Sequence, residues 1–140
     1  MTFWGKQRQP GGVFTYKGRI GRLRFLGCNI LLNVLMEIMM ELLAYTGFWV
    51  IEFPMMGIAL LHAFNYAKRL HDINAPGWLG FVLVLSSAFL TVYYNDDPES
   101  GSILELVIMA FGALMVIIPG TKGPNRYGNE YGVTEVAEET

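Results

Sequence analysis

Long apolar runs separated by short polar segments set the pattern of this chain of 140 residues. The runs cover residues 25–45, 48–66, 78–94 and 103–119, and each is 17–21 residues long. An α-helix needs about 20 apolar residues to cross roughly 30 Å of hydrocarbon, and the core helix of a soluble domain rarely carries such a run. The pattern therefore predicts an all-α fold, a four-helix transmembrane bundle made of two helical hairpins.

Charges in the connecting segments predict how these helices are oriented. The joint at residues 45–47 has no charge, and the joint at residues 95–102 carries three acids and no base. Lysine and arginine lie only before the first run, in the central segment 66–78 and after the fourth run. With four crossings they all fall on one side, which is the cytoplasmic side by the positive-inside rule. Both termini are therefore expected in the cytoplasm.

The same pattern divides the chain into three parts. Residues 1–24 mix aromatic and basic side chains, as is typical of a cytoplasmic or interfacial segment in the headgroup layer. Residues 25–119 form the transmembrane domain. Residues 120–140 comprise a cytoplasmic motif and an acidic tail, which has little apolar surface to bury and is expected to be disordered.

Composition argues against several classes of protein. Only 16% of the residues are charged, against about 25% in soluble domains, and a net charge of −2 does not favour nucleic-acid binding. Cys28 is the single cysteine, so neither a disulfide within the chain nor a zinc finger can form. His62 and His71 lie nine residues apart without a second motif, so we expect no metal site and no cofactor.

A polar stripe runs along the first apolar run. Its members recur at every fourth residue and so lie along one helix face: Asn29, Asn33, Glu37 and Glu41. On an insertion scale, the Leu, Ile, Val and Phe residues of this run contribute about −5 kcal/mol, and one ionised side chain at mid-depth costs about 2.5–3.5 kcal/mol. The polar side chains nearly cancel the apolar gain, so this helix is expected to need partners that cover the stripe.

The second run extends the stripe into an intramembrane polar seam by adding Glu52 and His62. It also offers a face of small residues at Ala59, Ala63 and Ala67, which allows another helix to approach closely. As a functional site, the seam would carry protons or cations through its carboxyl groups. As a structural feature, it would supply hydrogen bonds between helices, with glutamates wetted near the outer surface. We favour the structural interpretation, and the functional one stays open.

Three polar segments, at residues 18–24, 68–78 and 119–128, are expected to meet on the cytoplasmic side. They gather several cations around Asp72, and we expect a salt bridge from Asp72 to one of the arginines to hold them together. The surplus of positive charge would attract anionic headgroups, at about 1 kcal/mol per basic residue. The candidate residues for binding lipid or a protein partner are Arg19, Arg22, Arg69, His71, Asp72, Asn125 and Arg126.

The same segments resemble a known family. The stretch GRIGR at residues 18–22, the stretch RLHDI at 69–73 followed by GW at 77–78, and the stretch PGTKGPNRYG at 119–128 are similar to three motifs of the domain-of-unknown-function family 805. The resemblance implies a multi-pass protein of the bacterial inner (plasma) membrane with no assigned activity. The first run is more acidic than in the family, so a role for Glu37 or Glu41 would belong to this protein.

The sequence thus predicts a non-enzymatic membrane module whose basic cytoplasmic face binds anionic lipid, a membrane-protein partner or a second copy of the chain. No enzyme is expected, because the adjacent side chains of His71 and Asp72 rarely face each other and no nucleophile accompanies them. The alternative is a small proton- or cation-linked transporter or channel subunit that uses the polar seam.

Overall fold

The computed structural model describes residues 14–93 and 98–129, and it describes side chains outside residues 88–105. The predicted disordered tail from residue 130, the first 13 residues and residues 95–97 of the acidic joint lie outside these ranges, whereas residues 98–102 of that joint are helical. Within them the chain forms four α-helices, one short 3₁₀ helix at Trp49–Ile51 and no strand. The α-helices are α1 (Arg22–Thr46), α2 (Glu52–Asp72), α3 (Trp78–Tyr93) and α4 (Pro98–Ile117). The all-helical fold and the number of helices are confirmed.

The C-terminal end of α2 differs from its prediction. The apolar run ends at Tyr66, but the helix continues to Asp72, so the basic part of the central segment is helical. The turn that ends it is a Schellman motif, in which Ala75 N donates to Leu70 O at 2.8 Å and Asn74 N donates to His71 O at 3.1 Å. Asn74 takes the left-handed conformation that this motif needs, with φ 62°. The polar side chains after Tyr66 do not end α2, because tertiary contacts satisfy them. The helix ends instead at the Schellman turn around Asn74.

The helix α2 is central to the bundle. It packs against both α1 and α3, and α4 contacts α1 and α3 as well. Buried apolar side chains cluster at the end of the bundle where α2 stops, around Phe25 of α1 and Tyr66 of α2. Their rings meet edge to face with centroids 5.2 Å apart, and Tyr66 also contacts Phe111 of α4 at 5.9 Å. Among the side chains that the structure describes, the best-packed part of the bundle is thus next to the polar segments.

The helices α2 and α3 approach each other closely at Gly80. A Cβ built at Gly80 would lie 2.9 Å from the backbone N of Ala67 and 3.0 Å from Cβ of Tyr66, so only glycine fits there. Ala63 and Ala67 are almost fully buried. The small face predicted on α2 is therefore in contact with α3 at Ala67.

Two of the helical segments, Arg22–Thr46 and Trp49–Asp72, are long and apolar enough to cross a membrane. The apolar stretches described in α3 and α4, Trp78–Ser87 and Leu106–Ile117, are shorter. Large apolar side chains are exposed on all four helices, including Leu31, Phe53, Leu85 and Met109, each at least 60% exposed. Such a surface is compatible with a membrane protein, because water-soluble monomers rarely expose contiguous apolar area on this scale.

The contact at Gly80 predicts a difference between two glycine-to-alanine variants. Gly80→Ala forces α2 and α3 apart and should reduce the free energy of unfolding in detergent by about 1–3 kcal/mol. Gly57→Ala is the control, since nothing lies within 4 Å of a Cβ built there and alanine favours a helix. Denaturant titration followed by circular dichroism measures both, and equal stability of the two variants would contradict the described packing.

Candidate functional site

The carboxylate of Asp72 is the centre of a buried network of charges. It accepts a hydrogen bond from Nε of Arg19 at 3.0 Å and pairs with the guanidinium of Arg69, one helical turn earlier. All three side chains are at most 6% exposed. The predicted salt bridge of Asp72 is confirmed, and it involves two arginines. Because buried charges are stable only when paired and hydrogen-bonded, the network depends on this geometry.

Arg69 connects α2 to the end of α4. Its Nε donates to Met115 O at 2.7 Å, and one Nη donates to Ile118 O. The last carbonyls of an α-helix have no partner within the helix, and a cation is favourable there because of the helix dipole. Arg69 therefore satisfies carbonyls at the C-terminal end of α4 with the same guanidinium that pairs with Asp72.

Arg19 connects the segment before α1 to the loop after α4. Its Nη1 donates to Gly123 O at 2.7 Å, and its Nη2 donates to Thr121 O. Thr121 in turn donates to the carbonyl of Asp72 through both its backbone N and its Oγ1, each at 2.8 Å. The loop after α4 thus wraps around the last turn of α2, and three distant segments are joined at one point.

Close packing at this point requires a glycine in the loop. A Cβ built at Gly120 would overlap the Asp72 carboxylate. Any larger residue would displace either the loop or the carboxyl group that both arginines share.

His71 and Asn125 hold the outer layer of the network. Nδ1 of His71 donates to Gly18 O at 3.1 Å, which defines its tautomer, and its ring stacks on Tyr127 with centroids 3.9 Å apart. Asn125 donates from Nδ2 to His71 O at 2.9 Å. His71 and Asp72 therefore have different partners although they are adjacent in sequence. Their contacts position the terminal segments and do not form a base with its orienting acid.

The network is closed. Two guanidinium groups share one carboxylate, and the remaining N–H groups point at backbone carbonyls of Ile20, Thr121 and Gly123 among others. Within the described part of the chain, no buried side-chain nitrogen or oxygen lacks a hydrogen-bond partner. Satisfied groups of this kind fix a conformation, and the arrangement can orient the surrounding surface.

The other two candidate residues lie at the border of the network. Arg126 is exposed, donates to Asn74 O at 2.9 Å and lies over the Tyr127 ring at 4.7 Å. Arg22 is exposed in the first turn of α1. Two further exposed cations, Lys17 and Lys122, lie next to residues of the network. The candidate residues predicted from the sequence did not include Lys17, Gly120, Thr121 or Lys122. The last three lie in the predicted polar segment 119–128, so their position was a signal that they belong to this site.

The polar seam is divided in the structure. Asn29 donates to Oη of Tyr66 at 3.2 Å and so links α1 to α2, and Asn33 donates to Asn29 within α1. His62 is half-buried on α2. The three glutamates are exposed and form no hydrogen bond or ion pair with another described residue: Glu37, Glu41 and Glu52. Asn65 of α2 is buried and donates to Phe25 O at 3.2 Å, so it links α2 to α1.

Comparison with known proteins identifies the family. The model of a family described as "Protein of unknown function (DUF805)" matches residues 13–129. The chain belongs to this family. The DUF805 match contains every segment that meets at Asp72, so the network lies inside the family domain. No curated protein and no solved structure matches the chain.

The network predicts that loss of its anion destabilises the DUF805 domain. Asp72→Asn leaves two buried guanidinium groups without a carboxylate and should reduce the free energy of unfolding by about 3–5 kcal/mol. Glu41→Gln neutralises an exposed carboxylate of the same chain and should change it by at most about 0.5 kcal/mol. Denaturant titration in detergent compares the two variants, and a similar small effect of both would show that the ion pairs do not hold this end together.

Proposed function

We propose that this protein is a non-enzymatic, multi-pass module of the bacterial inner membrane whose cytoplasmic face binds the anionic headgroups of lipids. The observation that carries the proposal is the set of exposed cations around the buried network. Arg19 and Arg69 are buried inside the network and paired with Asp72. Four other cations beside the network have exposed side chains: Lys17, Arg22, Lys122 and Arg126.

The positions of these cations support a common surface. Lys17 precedes Gly18, whose carbonyl binds His71, and Lys122 follows Thr121, whose backbone binds Asp72. Arg22 begins α1 two residues after Ile20, whose carbonyl accepts from Arg69. All of them therefore border one end of the bundle. Because the network holds the segments in place, little conformational freedom is lost when the cations bind a ligand.

The surroundings of this surface support a membrane boundary. Trp78 is 61% exposed and Tyr16 is 48% exposed at the same end of the bundle, and such aromatic side chains favour the headgroup layer. The distribution of all ten lysines and arginines follows the positive-inside pattern for four crossings. We therefore assign this end to the cytoplasm, together with both termini.

Cysteine labelling tests the proposed orientation of the chain in the membrane. In a Cys28→Ala background, Tyr45→Cys at the exposed end of α1 and Lys122→Cys beside the network should lie on opposite sides of the membrane. A membrane-impermeant maleimide added to intact spheroplasts should label position 45 and not position 122, and inverted vesicles should give the reverse. Permeabilised membranes are the control in which both react. Labelling of both positions from one side would refute the proposed topology.

Neutralising two of the exposed cations tests the proposed preference for anionic lipid. The double variant Arg22→Gln, Lys122→Gln should lose about 2 kcal/mol of preference for anionic lipid, or roughly thirty-fold. Competition between phosphatidylglycerol and phosphatidylcholine, read by native mass spectrometry of the purified protein, measures this preference. The matched control is Arg22→Lys, Lys122→Arg, which keeps the charges and should keep the selectivity. Equal selectivity in the neutralised and charge-conserving variants would rule out this function.

A further inference from the structure

The helix α1 has one face that turns toward the other helices. Its side chains are buried or half-buried and recur at intervals of three and four residues: Phe25, Cys28, Leu32, Met36, Met39 and Leu43. The rest of the surface of α1 is exposed along most of its length. What covers that remaining surface depends on its chemistry.

Two faces of the exposed surface of α1 differ in chemistry. One is apolar throughout and suits lipid chains: Leu31, Leu35, Ile38 and Leu42. The other, which we call the mixed face, contains polar side chains in its centre: Leu26, Ile30, Asn33, Glu37, Met40 and Ala44. Glu37 lies about 22 Å along the helix from Arg22, at 1.5 Å per residue. At that depth a carboxyl group and an amide are costly to expose to hydrocarbon.

The mixed face has the spacing of a helix–helix seam. Its members follow one another at intervals of four, three, four, three and four residues. This alternation is the a/d repeat of a left-handed coiled coil, in which two parallel helices bring identical positions face to face. A polar residue such as asparagine at one such position specifies the register and favours a defined number of strands.

From this face we infer that two copies of the chain form a parallel dimer through α1. Two copies inserted with the same topology are parallel and place Asn33 and Glu37 at the same depth, so the face complements itself about a two-fold axis. A different protein would have to supply matching polar groups at the same two depths. The inference rests on the membrane insertion proposed above and is independent of lipid binding.

The hydrogen bonds of Asn33 leave it ready for such a contact. Its Nδ2 donates to Asn29 O at 2.9 Å and to Asn29 Oδ1 at 2.7 Å, which uses both amide hydrogens. Its own Oδ1 has no described partner and can only accept. In a parallel pair the two Asn33 side chains face each other, and they bond across the seam when one of them turns an Nδ2 hydrogen from Asn29 to the Oδ1 of the other copy.

Cysteine cross-linking in native membranes tests the dimer. In a Cys28→Ala background, Ile30→Cys and Met40→Cys on the mixed face are compared with Leu31→Cys and Leu42→Cys on the apolar face. Copper phenanthroline should give at least about tenfold more disulfide-linked homodimer at positions 30 and 40, since parallel coiled-coil packing brings identical positions together. Equal yields on both faces, no homodimer at 30 and 40, or adducts with another protein would overturn the inference. Recovery of the chain outside the membrane fraction would overturn the proposed function as well.

A second measurement tests the polar contact itself. Energy transfer between labelled copies in liposomes, followed as lipid is added, gives the dissociation constant of the dimer. Asn33→Leu should raise it roughly tenfold, the size expected for interhelical hydrogen bonds in membranes. Val34→Leu introduces the same residue at an exposed neighbouring position and should leave it unchanged. An unchanged or lower dissociation constant for Asn33→Leu would overturn the polar contact as the source of pairing.

Discussion

The rest of the structure depends on the shared carboxylate of Asp72. A buried guanidinium is costly without an anion, and here two of them, Arg19 and Arg69, use the same one. Arg19 lies 53 residues away from Asp72 in sequence and 102 residues from Thr121, so the network closes long loops of chain. Each arginine also binds backbone carbonyls, which orders the loop after α4 and the last turn of α4 itself. Without the carboxylate, both guanidinium groups would be buried without an anion, and the segments that they join would be held only by hydrogen bonds such as those to the Asp72 and His71 carbonyls.

Among the described side chains, those of the bundle end that carries the network are packed most closely. Buried side chains concentrate near the network, whereas from Asn33 onward α1 has no buried residue. The network end presents a fixed set of cations, and in the proposed dimer the exposed surface of α1 would contact lipid chains and a second copy. In a parallel dimer, the Arg22 side chains of both copies would lie at the same level. Two basic faces would then act on one patch of headgroups, which increases avidity without any new contact.

The sequence predicted the helices well because apolar runs of this length have few other solutions. It did not predict the end of α2, because Arg69, His71 and Asp72 are satisfied by contacts with distant segments that the local pattern does not show. The salt bridge of Asp72 was predictable from charge alone, but the binding of Arg69 to carbonyls of α4 was not, since every residue has a carbonyl. The polar residues of α1 do recur at every fourth position, but each step of four residues turns about 40° further around the helix. Asn29 therefore meets Tyr66, while Glu37 has rotated to the outside.

The loop that wraps around α2 has a consequence for how the protein is made. Residues 119–128 are the last part of the family domain to leave the ribosome, and they supply acceptors for Arg19, which was translated about one hundred residues earlier. A chain synthesised only as far as residue 118 therefore lacks the backbone acceptors that Arg19 binds. In the proposed membrane topology, this end of the bundle completes its hydrogen bonds only after the fourth helix has been inserted.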